Sequence, residues 1–121
     1  MHLPYTTADF RGSSLDNIAS RRIIEALVTR AYFQLVLVAW GEDGSRVASL
    51  AVHGNHEVRL IERLPTAAGG GPRVWIDLFE RDTGASIETR ACSDDLEAAV
   101  TAAEQLIARA IELDEADRSK E

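Results

Sequence analysis

Apolar residues recur with two different periods along this 121-residue chain, and this change of period restricts the possible folds more than any other feature. From residue 14 to 30 and from 96 to 111 they follow the i, i+3, i+4, i+7 spacing of one helix face. Between these segments, short apolar runs are separated by glycine-containing turns, a pattern typical of strands joined by hairpins. Helices at both ends with strands between them predict an α+β domain.

The first helix is predicted over residues 14–30. Ser13 followed by Asp16 resembles a capping box, in which side chains satisfy free backbone N–H groups at the helix start. Ile24 and Val28 make the apolar stripe wider than one contact surface requires, so we expect this helix to be well buried.

Five antiparallel strands are predicted next, the first over residues 32–40, the third over 56–64, the fourth over 74–80 and the fifth over 85–91. They are expected to form a meander. A four-residue turn, Arg81 to Gly84, would pair Leu78 with Ile87 and Val74 with Ala91.

Turn chemistry and strand register define the earlier connections. Asp43–Gly44 is a hairpin signal because both central residues of a type I′ turn need a positive φ. For the next hairpin, a two-residue loop, Gly54–Asn55, would pair Leu50 with Arg59. Each sheet face would then carry both apolar and charged side chains. The three-residue loop His53–Asn55, with its last residue left-handed, pairs Leu50 with Val58 instead, and we favour it. The same register gives the pairs Ala48–Leu60 and Arg46–Glu62.

The predicted fold is therefore a five-stranded antiparallel meander sheet with the N-terminal and C-terminal helices packed on one face. Residues 1–13 form an N-terminal arm, 14–113 a single domain and 114–121 an acidic tail, with a flexible loop at 65–72. The helix-covered face is expected to bury Ala48, Leu50, Val52, Val58, Leu60, Val74, Ile76 and Leu78.

The opposite sheet face suggests a binding surface. The registers place there Val36, Val38, Trp40, Val47, Ile61, Trp75 and Phe79, among Ser49, Glu57, Arg59, Arg63, Asp77, Glu88 and Arg90. A monomer seldom exposes such a patch, and aromatic residues with arginine are enriched in protein interfaces. The expected interface consists of Trp40, Val47, Ile61, Trp75 and Phe79. A second copy or a protein partner would cover it, unless residues 1–13 fold over it.

The C-terminal helix has the clearest apolar stripe and most of the charge. Ser93 or Asp94 is expected to cap it, and its stripe consists of Leu96, Ala99, Val100, Ala103, Ile107, Ala110 and Ile111. Residues 93–121 contain nine acidic and three basic residues, so this end holds −6 of the net charge of −7. An acidic chain argues against a nucleic-acid partner, which requires a basic field.

Several features favour a cytoplasmic location. The longest apolar run has six residues, Leu35 to Trp40, far below the roughly 20 that a membrane-spanning helix needs. The first ten residues lack the pattern of a signal peptide. Cys92 is the single cysteine, so neither an internal disulfide nor a multi-cysteine zinc site is possible.

No group of residues indicates a reaction or a cofactor. His53, His56 and Glu57 are weak candidates for metal ligands, because they flank a turn and no third ligand can be assigned, and we predict no metal site. Cys92 is expected to be a small buried residue rather than a nucleophile. Asp77 and Glu88 are expected to face one another within a surface ion-pair network, not as a catalytic pair.

Three functional hypotheses follow. The first is a non-catalytic interaction domain that self-associates or docks through the second sheet face. The second is an acidic inhibitor of a basic protein, of the antitoxin or immunity type, in which residues 112–121 steer association. The third is a small-molecule binder or enzyme with a pocket beside the 65–72 loop.

Overall fold

The computed structural model describes residues 14–64, 71–92 and 95–120, with side chains from residue 20 onward. The elements are, in chain order, α1 (Ser14–Val36), β1 (Ser45–His53), β2 (His56–Arg63), β3 (Val74–Glu80), β4 (Ser86–Ala91) and α2 (Leu96–Ser119). The strands form one antiparallel sheet in the order β1-β2-β3-β4. The α+β class and the meander are confirmed, but the described sheet has four strands rather than five. The predicted arm at residues 1–13, the cap at Ser13 and most of the 65–72 loop lie outside the described residues.

The predicted first strand is absent because α1 continues to Val36. Val28, Ala31 and Leu35 follow helical spacing and are all fully buried, so they extend the core-facing stripe of the helix by two turns. The β-branched and aromatic residues in this segment favour a strand, but burial against the sheet decides the outcome.

A tight connection, residues 37–44, then leads from α1 into β1. The backbone N–H of Leu37 donates to the carbonyl of Gln34 at 3.0 Å and thereby closes the helix end. Gly44 has a φ of +78°, and the N–H of Gly41 donates to Ser45 O at 2.7 Å. A turn is therefore present here, but the hydrogen bond from Gly44 N to Gly41 O at 3.0 Å centres it on Glu42 and Asp43 instead of Asp43–Gly44, and it joins a helix to a strand instead of two strands.

A bulge in β1 determines the first hairpin. His53 pairs with His56, so the loop has two residues rather than the predicted three. The register shifts between Ser49 and Ala51. Because of this bulge, a two-residue loop is compatible with core residues on one face of both strands and polar residues on the other. The predicted pairs Ala48–Leu60 and Arg46–Glu62 are confirmed, whereas Leu50 does not pair with Val58.

The β3–β4 hairpin also differs from its predicted register by one residue. Leu78 is opposite Glu88 instead of Ile87, and Ala91 is opposite Trp75 instead of Val74. The predicted four-residue turn, Arg81 to Gly84, is present and is closed by a hydrogen bond from Glu80 N to Ala85 O at 2.8 Å, so the difference arises from the register shift between Leu78 and Phe79. Alternation consequently turns Glu88 and Arg90 toward the helices, and not toward the opposite face as predicted.

One cluster of buried residues joins both helices to one face of the sheet. It comprises Val28, Ala31, Leu35, Ala48, Leu50, Val58, Leu60, Val74, Ile76, Leu78, Cys92, Ala99, Val100, Ala102, Ala103, Leu106 and Ala110. Of the strand residues predicted for the core, only Val52 is not buried: the bulge places it opposite Glu57, and it is 46% exposed.

The start and end of α2 are fixed by polar contacts. Asp95, not Ser93 or Asp94, is the N-cap, and its side chain accepts a hydrogen bond from Glu97 N at 3.0 Å. The helix continues to Ser119, so residues 114–119 of the predicted acidic tail are helical. Near its end, Asp114 lies so close to Gly54 that a Cβ added there would be 2.2 Å from Asp114 Oδ1, and Gly54 itself has a φ of +61°. Only glycine suits this turn.

Candidate interaction surfaces

The sheet face opposite the core carries an apolar row across three strands. Val47 of β1 is opposite Ile61 of β2, which is opposite Trp75 of β3. All three side chains are half-buried, and Trp75 Nε1 donates to Pro72 O at 3.1 Å. Within the described residues both helices pack on the other face, so we call this surface the open sheet face and define it by Val47, Ile61, Trp75, Arg59, Asp77 and Phe79.

A charged pair occupies the centre of the open sheet face. Arg59 and Asp77 are opposite each other on β2 and β3, and an Arg59 Nη2 group donates to Asp77 Oδ2. Ser86 Oγ donates to Asp77 Oδ1 at 2.6 Å, and the Arg59 guanidinium lies 3.8 Å from the centre of the Phe79 ring. Asp77 is only 2% exposed although no described helix covers it. The neighbouring side chains therefore enclose the carboxylate and fix the arginine against the aromatic ring.

A shallow pocket of about 260 Å³ lies at one end of the open sheet face. Its lining consists of Ile61, Arg63, Trp75 and Thr89. Among the described residues of this lining, Arg63 is the only charged one, and it is exposed. The pocket thus combines an aromatic side chain, Trp75, an aliphatic one, Ile61, and the cationic Arg63.

Trp40 does not join the other predicted interface residues. It lies in the 37–44 connection, where the Arg46 guanidinium carbon is 4.1 Å from its ring centre. Arg46 shares the helix-covered face with Ala48 and is paired with Glu62, Nε to Oε1 at 2.8 Å. Trp40 therefore lies at the sheet edge on the helix side. Val36 and Val38, also assigned to the open face from sequence, lie in α1 and in the same connection.

The two carboxylates expected to face one another lie on opposite sides of the sheet. Asp77 is opposite Thr89 on the open face, whereas Glu88 is opposite Leu78 on the helix side. Arg90 Nε donates to Glu88 Oε2 at 2.9 Å, so Glu88 has its own partner. The expected Asp77–Glu88 contact was therefore wrong.

The candidate metal ligands do not converge either. His53 and His56 are opposite each other and share the helix-covered side, while Glu57 points to the open face and lies 3.9 Å from Arg81 Nε. His56 is buried, and its Nδ1 lies 3.9 Å from Asp117 Oδ2 at the end of α2. Among the described residues no three His, Cys, Asp or Glu side chains are placed to share a metal ion.

Cys92 is buried directly after β4. Its Sγ lies 3.5 Å from Arg90 O, and burial raises the pKa of the thiol above its usual value. A higher pKa leaves less thiolate, which is the nucleophilic form.

The most exposed apolar surface of the described residues was not predicted from the sequence. On the outside of α1, Phe33 is 71%, Val36 69% and Leu37 87% exposed. A groove of about 480 Å³ beside them is lined by Thr29, Tyr32, Phe33, Val36 and Leu96. We call this surface, formed by Thr29, Phe33, Val36, Leu37 and Leu96, the α1 outer stripe. The signal for it was the unusual width of the apolar pattern in the first helix.

Comparison with known proteins does not assign the chain to a family. No family model matches the sequence, and neither the curated proteins nor the solved structures contain a significant match. In the described part of the chain, neither helix combines the length and apolar character needed to cross a membrane.

Proposed function

We propose that this chain is a non-catalytic interaction domain that binds a protein partner through the open sheet face. The observation that carries the proposal is the half-exposed apolar row Val47–Ile61–Trp75, which crosses three strands. Aromatic side chains and arginine, which occur together on this face, are enriched in protein interfaces.

The side chains of the open sheet face are held in place before any partner binds. Trp75 is fixed by its hydrogen bond to Pro72 O, and Phe79 is covered by the guanidinium of Arg59. Asp77 in turn orients Arg59. Preorganised side chains lose less conformational entropy on binding, so they favour recognition.

The composition of the face favours a partner that binds and dissociates. Permanent interfaces are more apolar than the rest of the surface, whereas non-obligate interfaces mix apolar and polar groups. The Arg59–Asp77 pair divides the apolar residues of this face, and exposed Arg63 borders its pocket. The matching partner segment would present an apolar side chain next to a carboxylate, which arginine binds through paired hydrogen bonds.

Substitutions on the open sheet face test this proposal. Tagged wild-type protein and the Ile61→Glu variant would be expressed in cells of the source organism, and co-purifying proteins would be quantified by mass spectrometry. Ala108→Glu introduces the same charge on the exposed side of α2 and serves as the matched control. Trp75→Ala would be tested in the same way, and circular dichroism would verify that all four proteins fold.

The expected result is a partner that Ala108→Glu retains and that both Ile61→Glu and Trp75→Ala lose. Retention of every co-purifying protein by the sheet variants would refute the proposed role of this face. Residues 112–121 as an inhibitor surface, and a ligand pocket at the 65–72 loop, remain predictions. The described residues add no support to either.

A further inference from the structure

We propose that two copies of this chain associate through the α1 outer stripe. This inference concerns a different surface and does not rest on the proposed role of the open sheet face. Apolar residues occupy both sides of the C-terminal end of α1: one set is buried against the sheet, and the other consists of Phe33 and Val36, with Leu37 directly after the helix. A helix that is apolar on both sides is normally covered on both sides.

The exposed area is sufficient for a dimer. With Leu96 and Val38 nearby, the stripe presents on the order of 500 Å² of apolar surface, comparable to the largest patches of about 300–600 Å² on typical monomers, which are often functional. Two copies joined there would bury on the order of 1,000 Å² of apolar surface, and the polar rim would extend this toward the roughly 1,200–2,000 Å² of stable interfaces. Homodimer interfaces are also the more apolar class.

The shape of the stripe is suited to its own copy. A two-fold contact presents the same patch twice, so the patch must contain both a projection and a cavity that receives it. The α1 outer stripe has both, because the exposed Phe33 ring is itself one wall of the groove that Thr29, Tyr32, Val36 and Leu96 also line. Near a two-fold axis at this turn of the helix, each Phe33 would enter the groove of the other copy.

Charge favours a second copy over a charged partner. A two-fold axis brings each side chain near its own equivalent, so a charged group at the centre would repel itself. The stripe residues are all uncharged, and Arg30 borders them. Each chain carries a net charge of −7, so association should strengthen with salt, because salt screens the repulsion between the two acidic copies.

The molar mass in solution tests the inference. Light scattering coupled to size-exclusion chromatography would be measured on the full chain between about 1 and 100 µM. The wild type is expected to approach twice its chain mass of 13.2 kDa. Phe33→Glu is expected to weaken association by roughly 100- to 1,000-fold, because one substitution removes two central aromatic contacts from the dimer.

Three further variants make the outcome unambiguous. Leu37→Glu, outside the helix, should dissociate the dimer even if Phe33→Glu folds poorly. Ala108→Glu, exposed on α2 far from Leu96, and Trp75→Ala on the open sheet face should remain dimeric. A wild type that is monomeric at every concentration, as expected if residues 1–13 cover the stripe, would overturn the inference. A dimer that Trp75→Ala dissociates and Phe33→Glu does not would also overturn it, and would assign the interface to the sheet.

Discussion

The two uncovered surfaces differ in how their apolar residues are held. On the open sheet face, Trp75 and Phe79 are half-buried by their own neighbours, and a buried carboxylate orients the arginine between them. On the α1 outer stripe, Phe33 and Leu37 project into solvent, and their packing would come from another chain. The side chains of the open sheet face are thus packed by their own chain, whereas we propose that those of the α1 outer stripe are packed by a second copy.

This difference supports separate roles for the two surfaces: partner binding for the open sheet face and dimer formation for the α1 outer stripe. A preorganised, mixed surface can release its partner without exposing a large apolar area. A purely apolar surface is costly to leave in water, so it is expected to stay covered. A dimer formed through α1 would leave both open sheet faces free, and the two proposed functions are compatible.

The largest stability effect is expected at the centre of the open sheet face. Asp77→Ala leaves the Arg59 guanidinium without its buried partner and should lower the free energy of unfolding by about 2–3 kcal/mol, toward the lower end for buried pairs because Arg59 is partly exposed. Urea unfolding would measure it. Glu88→Ala removes a partly exposed ion pair with Arg90 and should cost less than about 1 kcal/mol. Equal effects of the two substitutions would contradict the view that the sheet face is built around Asp77.

A smaller change in the free energy of unfolding is expected when the aromatic residues of the two surfaces are replaced by alanine. Trp75→Ala should cost about 2 kcal/mol, because a half-buried indole and its hydrogen bond to Pro72 O are lost. Phe33→Ala should change the stability of the monomer by less than about 0.5 kcal/mol, because its ring is mostly exposed. Both would be measured by urea unfolding in the Leu37→Glu background, so that dissociation does not contribute. If Phe33→Ala were the more destabilising, the stripe would be part of the fold.

Much of the fold could be predicted from local patterns. β2, β3 and most of the α2 stripe were found because their periodicity agrees with their burial, although Leu96 of the predicted stripe is 42% exposed and the buried Ala102 and Leu106 were not included in it. The bulge at Leu50 could not be predicted, because it depends on how β1 accommodates a short loop and a buried face together. The predicted first strand, residues 32–40, was wrong because residues 32–36 have strand composition but complete the core stripe of a helix.

The same error explains which part of the candidate sites was missed. Val47, Ile61 and Trp75 were placed correctly in one row, because alternation alone determines the side of each strand residue. Trp40 was misplaced and the α1 outer stripe was overlooked, since both depend on where α1 ends. The exposure of Phe33 could not be predicted from the sequence. Apolar residues lie on both sides of α1, and helical spacing alone does not show which side packs on the sheet.

The smallest expected effect is on the reactivity of Cys92, a buried thiol that reports on the packing of the core. Burial raises the pKa of this thiol, so at any pH below that value the folded protein holds less thiolate than an exposed cysteine, and modification by a thiol reagent should be slow. The rate should rise with pH as thiolate increases. Because the thiol is buried by its own chain and not by a second copy, Phe33→Glu should change the rate by less than about threefold. A much faster modification of Cys92 in Phe33→Glu would mean that the α1 outer stripe contributes to the packing of the core. The stripe would then be part of the fold of one chain and not only a contact between two.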